Sequence, residues 1–255
     1  MKRAIILAAG KGTRLVNGFD FPKPLKRVAG VPLIVRVLRS LEAEGVDEVG
    51  IVVGYLADTL IAGVRRYDFD LDITFVRNDA YDKPNGTSLL TAAHLVEGPT
   101  LLMMSDHLWS PGVVRAALRF PLPPDAAVLS VDRDVPRCFD LDDATKVRLD
   151  GDRIAAIGKE LTEYDALDTG VFRITPALID ALREADGPAG CSLSAGVGAL
   201  AARGKMFVAD VGDSLWIDVD TPEAHAAAEK LIARYGDRLV RPAARPVVRP
   251  AAVAV

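Results

Sequence analysis

Short apolar runs alternate with amphipathic segments over the first half of the chain. Apolar runs of this length are typical of parallel strands covered on both faces, and apolar residues three or four positions apart predict helices. Strands are predicted at 4–8, 49–53, 73–76, 100–104 and 127–131, and helices at 32–44, 58–67, 88–96 and 111–120. The segment 78–87, rich in turn residues, is predicted to be a loop. This alternation predicts an α/β fold with a mainly parallel sheet and helices on both faces.

The second half of the chain has a different pattern. Residues 146–157 read as two short strands about an Asp-Gly turn, which predicts a small β-hairpin. Further strands are expected at 169–174, 206–208 and 215–219, the last two returning to the sheet, with helices at 176–184 and 192–203. Thr221 and Pro222 suit the start of a final helix that extends to Arg234.

These patterns divide the chain into one domain and a C-terminal tail. Residues 1–235 are predicted to form a single catalytic domain, in which the hairpin region covers about 140–175. Residues 236–255 contain three Arg-Pro pairs and no hydrophobic periodicity, which is typical of an extended tail or a linker.

Composition excludes several classes of protein. The net charge of −4 argues against a nucleic-acid-binding surface, because such proteins usually carry a basic excess. No apolar run approaches the ~18 residues of a membrane helix, so no membrane segment is expected. The two cysteines, Cys138 and Cys191, lack metal-site spacing and a disulfide framework, which indicates a cytoplasmic protein.

A glycine loop directly follows the first predicted strand. Gly10 and Gly12 allow backbone N–H groups to approach a ligand, and Arg14 offers a planar fork of donors suited to phosphate oxygens. Leu15 stands where a dinucleotide fingerprint would place its third glycine, and the P-loop pattern is absent. The segment is therefore interpreted as a polyphosphate loop of another kind.

Three further charged residues accompany this loop. Lys23 lies between two prolines that limit the freedom of the backbone. Asp106 follows an apolar strand, at the end where ligands bind in open α/β sheets, and Asp218 lies in another apolar segment. Two carboxylates beside a phosphate loop predict a Mg²⁺ site, with Asp220 as the alternative to Asp218 for the second ligand.

The segments LAAGKGTRL, PKPL, SDH and WIDVDTPE, in this order, resemble the sugar-phosphate nucleotidyltransferase family. The resemblance implies a GT-A-like, Rossmann-like fold in which the glycine loop holds the triphosphate, Lys23 contacts phosphate, and Asp106 and Asp218 hold Mg²⁺. It also implies that the segment 85–88 reads the base. The nucleotide-binding set is then Leu7, Ala8, Ala9, Gly10, Gly12, Thr13, Arg14, Asn85, Gly86, Thr87 and Ser88.

A narrower resemblance concerns the acceptor. The segments NGTSLL, ATKVRLDGDRIAAIGKEL and DALDTGVF are most similar to inositol-1-phosphate cytidylyltransferases. This implies CTP and inositol-1-phosphate as partners, with Lys159, Asp168, Thr169 and Gly170 on the acceptor. Arg14, Lys23 and Lys159 are the expected catalytic cations. Gly158-Lys159-Glu160 departs from the Glu-Lys-Pro of family members that make sugar nucleotides.

Several alternatives remain open from the sequence. The sequence is also compatible with a phosphonate, phosphocholine or another cyclitol phosphate as the acceptor. It is compatible as well with an enzyme that uses a sugar-1-phosphate and another NTP. A nucleotide-sensing module without turnover is a third class. The acidic run 140–143 is interpreted as a solvated loop, and His107 as structural or as part of the acceptor pocket. The oligomeric state is open, with a homodimer as the candidate.

Overall fold

The structure, a computed structural model, describes residues 2–12, 14–15 and 21–236. The strands are β1 Arg3–Ala8, β2 Arg27–Val28, β3 Val31–Pro32, β4 Glu48–Val53, β5 Asp72–Arg77, β6 Thr100–Met104, β7 His107–Trp109, β8 Ala127–Asp132, β9 Lys146–Asp150, β10 Arg153–Gly158, β11 Ala166–Ile174, β12 Met206–Asp210 and β13 Trp216–Asp218. The α-helices are α1 Leu33–Ala43, α2 Ala57–Val64, α3 Asn85–Thr91, α4 Pro111–Arg119, α5 Pro176–Ala185, α6 Leu193–Ala201 and α7 Pro222–Tyr235. The predicted tail beyond residue 236 lies outside these ranges.

A nine-stranded sheet with the order β5-β4-β1-β6-β11-β8-β12-β10-β9 forms the centre of the described residues. The pairings place β5, β4, β1, β6, β8, β12 and β9 in one direction, whereas β11 and β10 run in the other. The predicted α/β fold with a mainly parallel sheet is confirmed. The hairpin β9–β10 extends this sheet through β12, and β9 also pairs with β11.

Apolar side chains cover both faces of the sheet. In β1, Ile5 and Leu7 join one core with α3, α5 and α6, whereas Ile6 and Ala8 join a second core with α1, α2 and α4. This division follows from the alternation of side chains along a strand. A central strand buried on both faces must be apolar at every position, and this explains the continuous apolar run near the start of the chain.

The direction of chain progression reverses at β1. From β1 the chain moves outward to β4 and β5, and then returns to place β6 on the other side of β1. The two strands end together, because Leu7 lies opposite Met104. Such a switch point opens a crevice at the carboxyl ends of the strands. The glycine loop after β1 and Asp106 after β6 therefore meet at this crevice.

The loop predicted at 78–87 and the helix predicted at 88–96 both differ from the structure. The loop predicted at 78–87 ends early, because Asn85 already begins α3 after Pro84, and the N–H of Thr87 bonds the carbonyl of Pro84. Proline has no N–H, so it suits the start of a helix, where that donor would have no partner. The helix predicted to continue to residue 96 ends at Thr91, and a separate 3₁₀ turn follows at Ala93–Leu95.

The segment around Asp218 does not join the main sheet. After β6 the chain turns at Asp106 and forms β7, which pairs with β13 in a separate antiparallel ribbon. Ser110 and Leu215 join the two strands of this ribbon at one end. The backbone N–H of Ser110 donates to the carbonyl of Leu215, and Oγ of Ser110 accepts the backbone N–H of Leu215. The prediction that 215–219 returns to the sheet was therefore wrong.

The last helix is capped as the sequence predicts. Thr221 Oγ1 accepts the backbone N–H of Ala224, and Pro222 is the first residue of α7. The helix packs on a small third core that includes Leu108, Ile217 and Ala228. None of the helices in the described ranges combines the length and apolar character needed to cross a bilayer.

Gly86 is expected to be a packing requirement of α3. A Cβ at this position would lie 2.6 Å from the carbonyl oxygen of Cys191 and 2.8 Å from the carbonyl carbon of Ser192, and both are backbone atoms. Gly86→Ala should therefore lower the free energy of unfolding by about 1–3 kcal/mol, as overpacking does. Gly198→Ala in α6 is the matched control, because no atom of another element lies within 4 Å. Chemical denaturation should show it unchanged or stabilised by up to about 1 kcal/mol. Equal effects of the two substitutions would contradict this explanation.

Candidate active site

A cavity of about 340 Å³ lies beside the glycine loop and is called the loop cavity here. Gly12 has a φ of +60°, and a Cβ there would lie 2.4 Å from Cβ of Lys23, so only glycine fits. The predicted nucleotide-binding residues that line this cavity are Leu7, Ala8, Ala9, Gly10, Gly12, Arg14, Asn85 and Ser88. Thr13, which was also predicted, lies outside the described residues.

Lys23 is the most buried cation of the site, with only 5% of its surface exposed. It begins a 3₁₀ turn, Lys23–Leu25, whose backbone is restricted by Pro22 and Pro24. Its ammonium lies 2.8 Å from Oδ2 of Asp106 and also forms an ion pair with Asp220. A buried charge requires such partners, so the three residues form one unit.

A second set of ion pairs joins the glycine loop to the hairpin. The Arg14 guanidinium contacts Oδ2 of Asp143 at 2.8 Å and is also paired with Asp220. Lys159 Nζ lies 2.6 Å from Oδ1 of Asp143. These two cations hold the pKa of Asp143 below its ordinary value, although burial acts in the opposite direction. The interpretation of 140–143 as a solvated loop was therefore wrong for Asp143.

His107 lies between the two predicted metal ligands. Its Nδ1 is 2.9 Å from Oδ1 of Asp106 and 3.6 Å from Oδ1 of Asp218. The ring stacks on Trp109 and Trp216, with centroid distances of 5.6 and 6.2 Å. Both carboxylates raise the pKa of His107 against the effect of burial. Burial also opposes ionisation of Asp106, yet Lys23 and His107 hold its pKa well below the ordinary value.

A larger cavity of about 590 Å³ opens on the other side of Asp106 and is called the large cavity here. Lys159, Asp168 and Gly170, which were predicted to bind the acceptor, all line it. Asp106, Asp220, Asn85 and Met104 line both cavities. The two cavities therefore meet at the pair of carboxylates that holds Lys23.

Some predicted residues do not face either cavity. Thr169 is fully buried, its hydroxyl donates to the carbonyl of Ser130, and its own carbonyl accepts the indole N–H of Trp109. Gly86 packs against the backbone of 191–192. Thr87 Oγ1 accepts the N–H of Cys191, although at the long distance of 3.3 Å. Direct ligand contacts from these three residues have no support in the structure.

The structure also adds a residue that sequence reasoning missed. Asp132 is buried at the wall of the large cavity, where its Oδ2 accepts 2.8 Å bonds from Arg137 and from the indole of Trp216. Asp132 is the last residue of β8, and Asp106 comes just after the end of β6. An acidic residue at the end of an apolar parallel strand is therefore a sequence signal that could have identified Asp132.

Acidic residues near the junction of the cavities have the arrangement of a metal site. Asp106, His107 and Asp218 present ligand atoms within 4.8 Å of one another, as do Asp143, Asp218 and Asp220. Oδ1 of Asp218 is buried and has no hydrogen-bond partner among the described residues. A buried carboxylate oxygen without a partner is costly unless it binds a cation, and carboxylate oxygens suit Mg²⁺. The donor set therefore fits a divalent metal ion.

The fold and the site together define a class of enzyme. A glycine loop at the switch point of an α/β sheet, two adjoining cavities, and interleaved cations and carboxylates are features of nucleotidyltransferases. A model of the MobA-like NTP transferase domain matches residues 4–251. The chain belongs to this family, and the enzyme class predicted from the sequence is confirmed.

Individual relatives agree with this assignment. The chain is 36% identical to proteins named bifunctional IPC transferase and DIPP synthase from Rubrobacter xylanophilus and from Archaeoglobus fulgidus. The matches cover 90% and 88% of this chain but 51% and 42% of those proteins, so the chain spans about half the length of these relatives. A solved structure of the inositol-1-phosphate CTP transferase from T. maritima superposes with a TM-score of 0.79 at 28% identity, covering 91% of this chain and 96% of that one.

Asp168 should make the stability of the protein depend on pH. Burial raises its pKa from the ordinary 3.8 to about 6, against the hydrogen bond that it accepts from the N–H of Gly170. Between pH 4 and 6 the unfolded chain loses this proton more readily than the folded one, so stability falls as pH rises. Asp168→Asn keeps the acceptor oxygen and removes the titration. Denaturant unfolding should show that the free energy of unfolding of this variant, relative to wild type, rises by about 1–2 kcal/mol from pH 4 to pH 7. This range allows for the partial exposure of the side chain.

Asp152→Asn, at an exposed turn, is the control and should keep the pH dependence of the wild type. An unchanged pH dependence in Asp168→Asn would contradict the role given to this carboxyl.

Proposed function

We propose that this chain is a cytidylyltransferase that transfers CMP from CTP to inositol-1-phosphate and releases CDP-inositol and pyrophosphate. The observation that carries the proposal is the meeting of the two cavities at Asp106 and Asp220. The loop cavity would take the nucleotide and the large cavity the acceptor, so that the reacting phosphates approach each other at their junction. The names and coverage of the relatives support the nucleotide and the acceptor.

The reaction requires charge more than acid–base chemistry. A phosphate monoester is already anionic near neutral pH, so it can attack the α-phosphorus of CTP in line without a general base. The obstacle is repulsion between two anions, which fixed cations reduce. In our proposal Arg14 contacts the leaving pyrophosphate, Lys23 the α-phosphate region, and Lys159 the incoming phosphate. The carboxylates that now pair with these cations hold them in place before the substrates bind.

The proposal includes a divalent metal ion, Mg²⁺, at the junction of the two cavities. Asp106 would hold it together with one aspartate of the segment 218–220. Asp218 offers a buried oxygen that has no hydrogen-bond partner among the described residues. Asp220 instead lines both cavities and is paired with Lys23 and Arg14. When bound, the ion would neutralise phosphate charge and orient phosphate oxygens.

The large cavity suits a polyhydroxylated acceptor. Asp168 lines it with a carboxyl group that accepts only one described hydrogen bond, from the N–H of Gly170, so oxygen lone pairs remain for ligand hydroxyls. Lys159 supplies a cation on the same wall for the phosphate group. The homodimer and the cytoplasmic location stay predictions, as does the absence of a nucleic-acid partner.

The direct test of the function is pyrophosphate release with Mg²⁺. CTP, UTP, dTTP, ATP and GTP would each be combined with inositol-1-phosphate, glucose-1-phosphate, phosphocholine and 2-hydroxyethylphosphonate. Rapid release only with CTP and inositol-1-phosphate is the expected result. Release with CTP and another acceptor would overturn the acceptor and keep the chemistry. Nucleotide binding without turnover in any combination would instead favour a sensing module.

Replacement of the proposed catalytic cations should slow turnover selectively. Arg14→Ala, Lys23→Ala and Lys159→Ala should each lower kcat/KM about 100- to 1000-fold, as loss of a preorganised electrostatic group does. Lys159→Ala should act mainly on the acceptor, and Arg14→Ala mainly on the nucleotide. Lys205→Ala is the matched control, because this exposed lysine pairs with Asp125 and lines neither cavity. Steady-state kinetics with each substrate varied in turn would separate these effects, and near-normal rates for Lys23→Ala would contradict its role.

Neutral amides would identify the metal ligands. Asp106→Asn is expected to abolish the Mg²⁺ dependence of turnover together with most activity. Mn²⁺ binding, followed by electron paramagnetic resonance without substrates, should weaken at least tenfold for Asp106→Asn and for whichever of Asp218→Asn and Asp220→Asn removes the second ligand. Unchanged Mn²⁺ binding in all three variants would contradict a metal site at this junction.

A further inference from the structure

The loop that follows β8, residues 133–145, forms one wall of the large cavity and is called the β8 loop here. Its residues 137–140 and 143–145 all line the cavity. A shift of the β8 loop would therefore change the shape of the large cavity, and the contacts that fix the loop decide that shape.

The later end of the β8 loop is held by Asp143, which pairs with Arg14 and Lys159. Residues 138–142 make no hydrogen bond or ion pair outside the loop in the part of the chain that the structure describes. The side chain of Phe139 is 52% exposed, so apolar packing does little to hold this stretch. Loop segments with few buried contacts open easily, so the position of this stretch depends on its two ends.

Arg137 anchors the earlier end of the β8 loop. Its Nη2 lies 2.8 Å from Oδ2 of Asp132 and 3.0 Å from the carbonyl oxygens of both Gly212 and Ser214. These two carbonyls belong to the turn between β12 and β13, and the buried Asp132 also accepts the indole N–H of Trp216 in β13. Arg137 therefore joins the β8 loop to the segment that leads into the ribbon.

The contacts of Arg137 all use a single nitrogen. Its Nε lies 3.8 Å from Oδ2 of Asp134, which is too long for a hydrogen bond. The planar, two-pronged geometry that distinguishes arginine from lysine is therefore not used here. An ammonium group, which carries three hydrogens, could serve the same three acceptors.

We propose that Arg137 is a positioning residue for acceptor binding, because it fixes the β8 loop and with it the wall of the large cavity. This inference rests on the proposed function, in which the large cavity takes the acceptor. The nucleotide would bind in the loop cavity, which Arg137 does not line. Loss of the anchor should therefore weaken the acceptor selectively, since a displaced wall no longer holds the acceptor in the geometry of attack.

Arg137→Met tests the inference, because it removes the three contacts and keeps an unbranched side chain. The kcat/KM for inositol-1-phosphate at saturating CTP should fall about 10- to 100-fold, mainly through a higher KM. The dissociation constant of CTP, measured by calorimetry without acceptor, should change less than about threefold, because the exposed pair of Arg14 with Asp143 contributes little. Hydrogen exchange in residues 138–142, followed by mass spectrometry, should become at least about tenfold faster.

Arg137→Lys is the conservative variant and should keep the acceptor KM within about threefold of wild type, because one ammonium can make the contacts of Nη2. Arg133→Met is the matched control on the same loop. Arg133 is exposed, pairs with Asp210 at 3.3 Å and lines neither cavity, so its loss should change neither substrate.

Arg137→Met alone leaves the buried carboxylate of Asp132 without its cation, which can destabilise the fold. The double variant Asp132→Asn, Arg137→Met removes both charges, and the amide oxygen can still accept the indole N–H of Trp216. It should show the same selective loss of acceptor affinity, with thermal unfolding closer to that of the wild type.

Three results would overturn this inference and leave the proposed function in place. The first is a wild-type acceptor KM in the folded Arg137→Met and double variants. The second is an equal weakening of CTP and acceptor, which would indicate a general disturbance. The third is a loss in Arg137→Lys as large as in Arg137→Met, which would indicate that the guanidinium contacts the acceptor directly. A wild-type protein without turnover on any acceptor would overturn the inference and the proposed function together.

Discussion

The ion pairs of the buried Lys23 ammonium with Asp106 and Asp220 are the interaction on which the rest of the site depends. The ammonium holds Asp106 and Asp220 together, although these residues lie far apart in the sequence. A lysine with 5% exposure is stable only beside carboxylates, and two adjacent carboxylates are stable only beside a cation. The backbone completes this junction, because the N–H of Val219 donates to the carbonyl of Asp106. The contacts that form the junction of the two cavities are therefore also the contacts that join the segment after β6 to the segment after β13.

Around this contact, positive and negative side chains alternate in space. Arg14 joins Asp220 to Asp143, and Asp143 joins Arg14 to Lys159. Without substrates, the carboxylates keep three cations close to the positions that we propose for the phosphate groups. A cation held in this way needs little reorganisation when an anion arrives, and this is the basis of electrostatic preorganisation. The acidic side chains of the site thus have a role in addition to the metal binding proposed for them.

The sequence by itself determined the layered fold, because the apolar run of β1 has to be buried on both faces. It also placed Gly12 and Asp106 just after such runs, and Lys23 between two prolines. Local pattern also sufficed for the cap of α7 at Thr221. Only the tertiary structure decided that β13 pairs with β7, that Asp143 bridges Arg14 and Lys159, and that Thr169 faces the interior. These features depend on contacts between residues far apart in the chain, and the periodicity of a single segment carries no information about its distant partners.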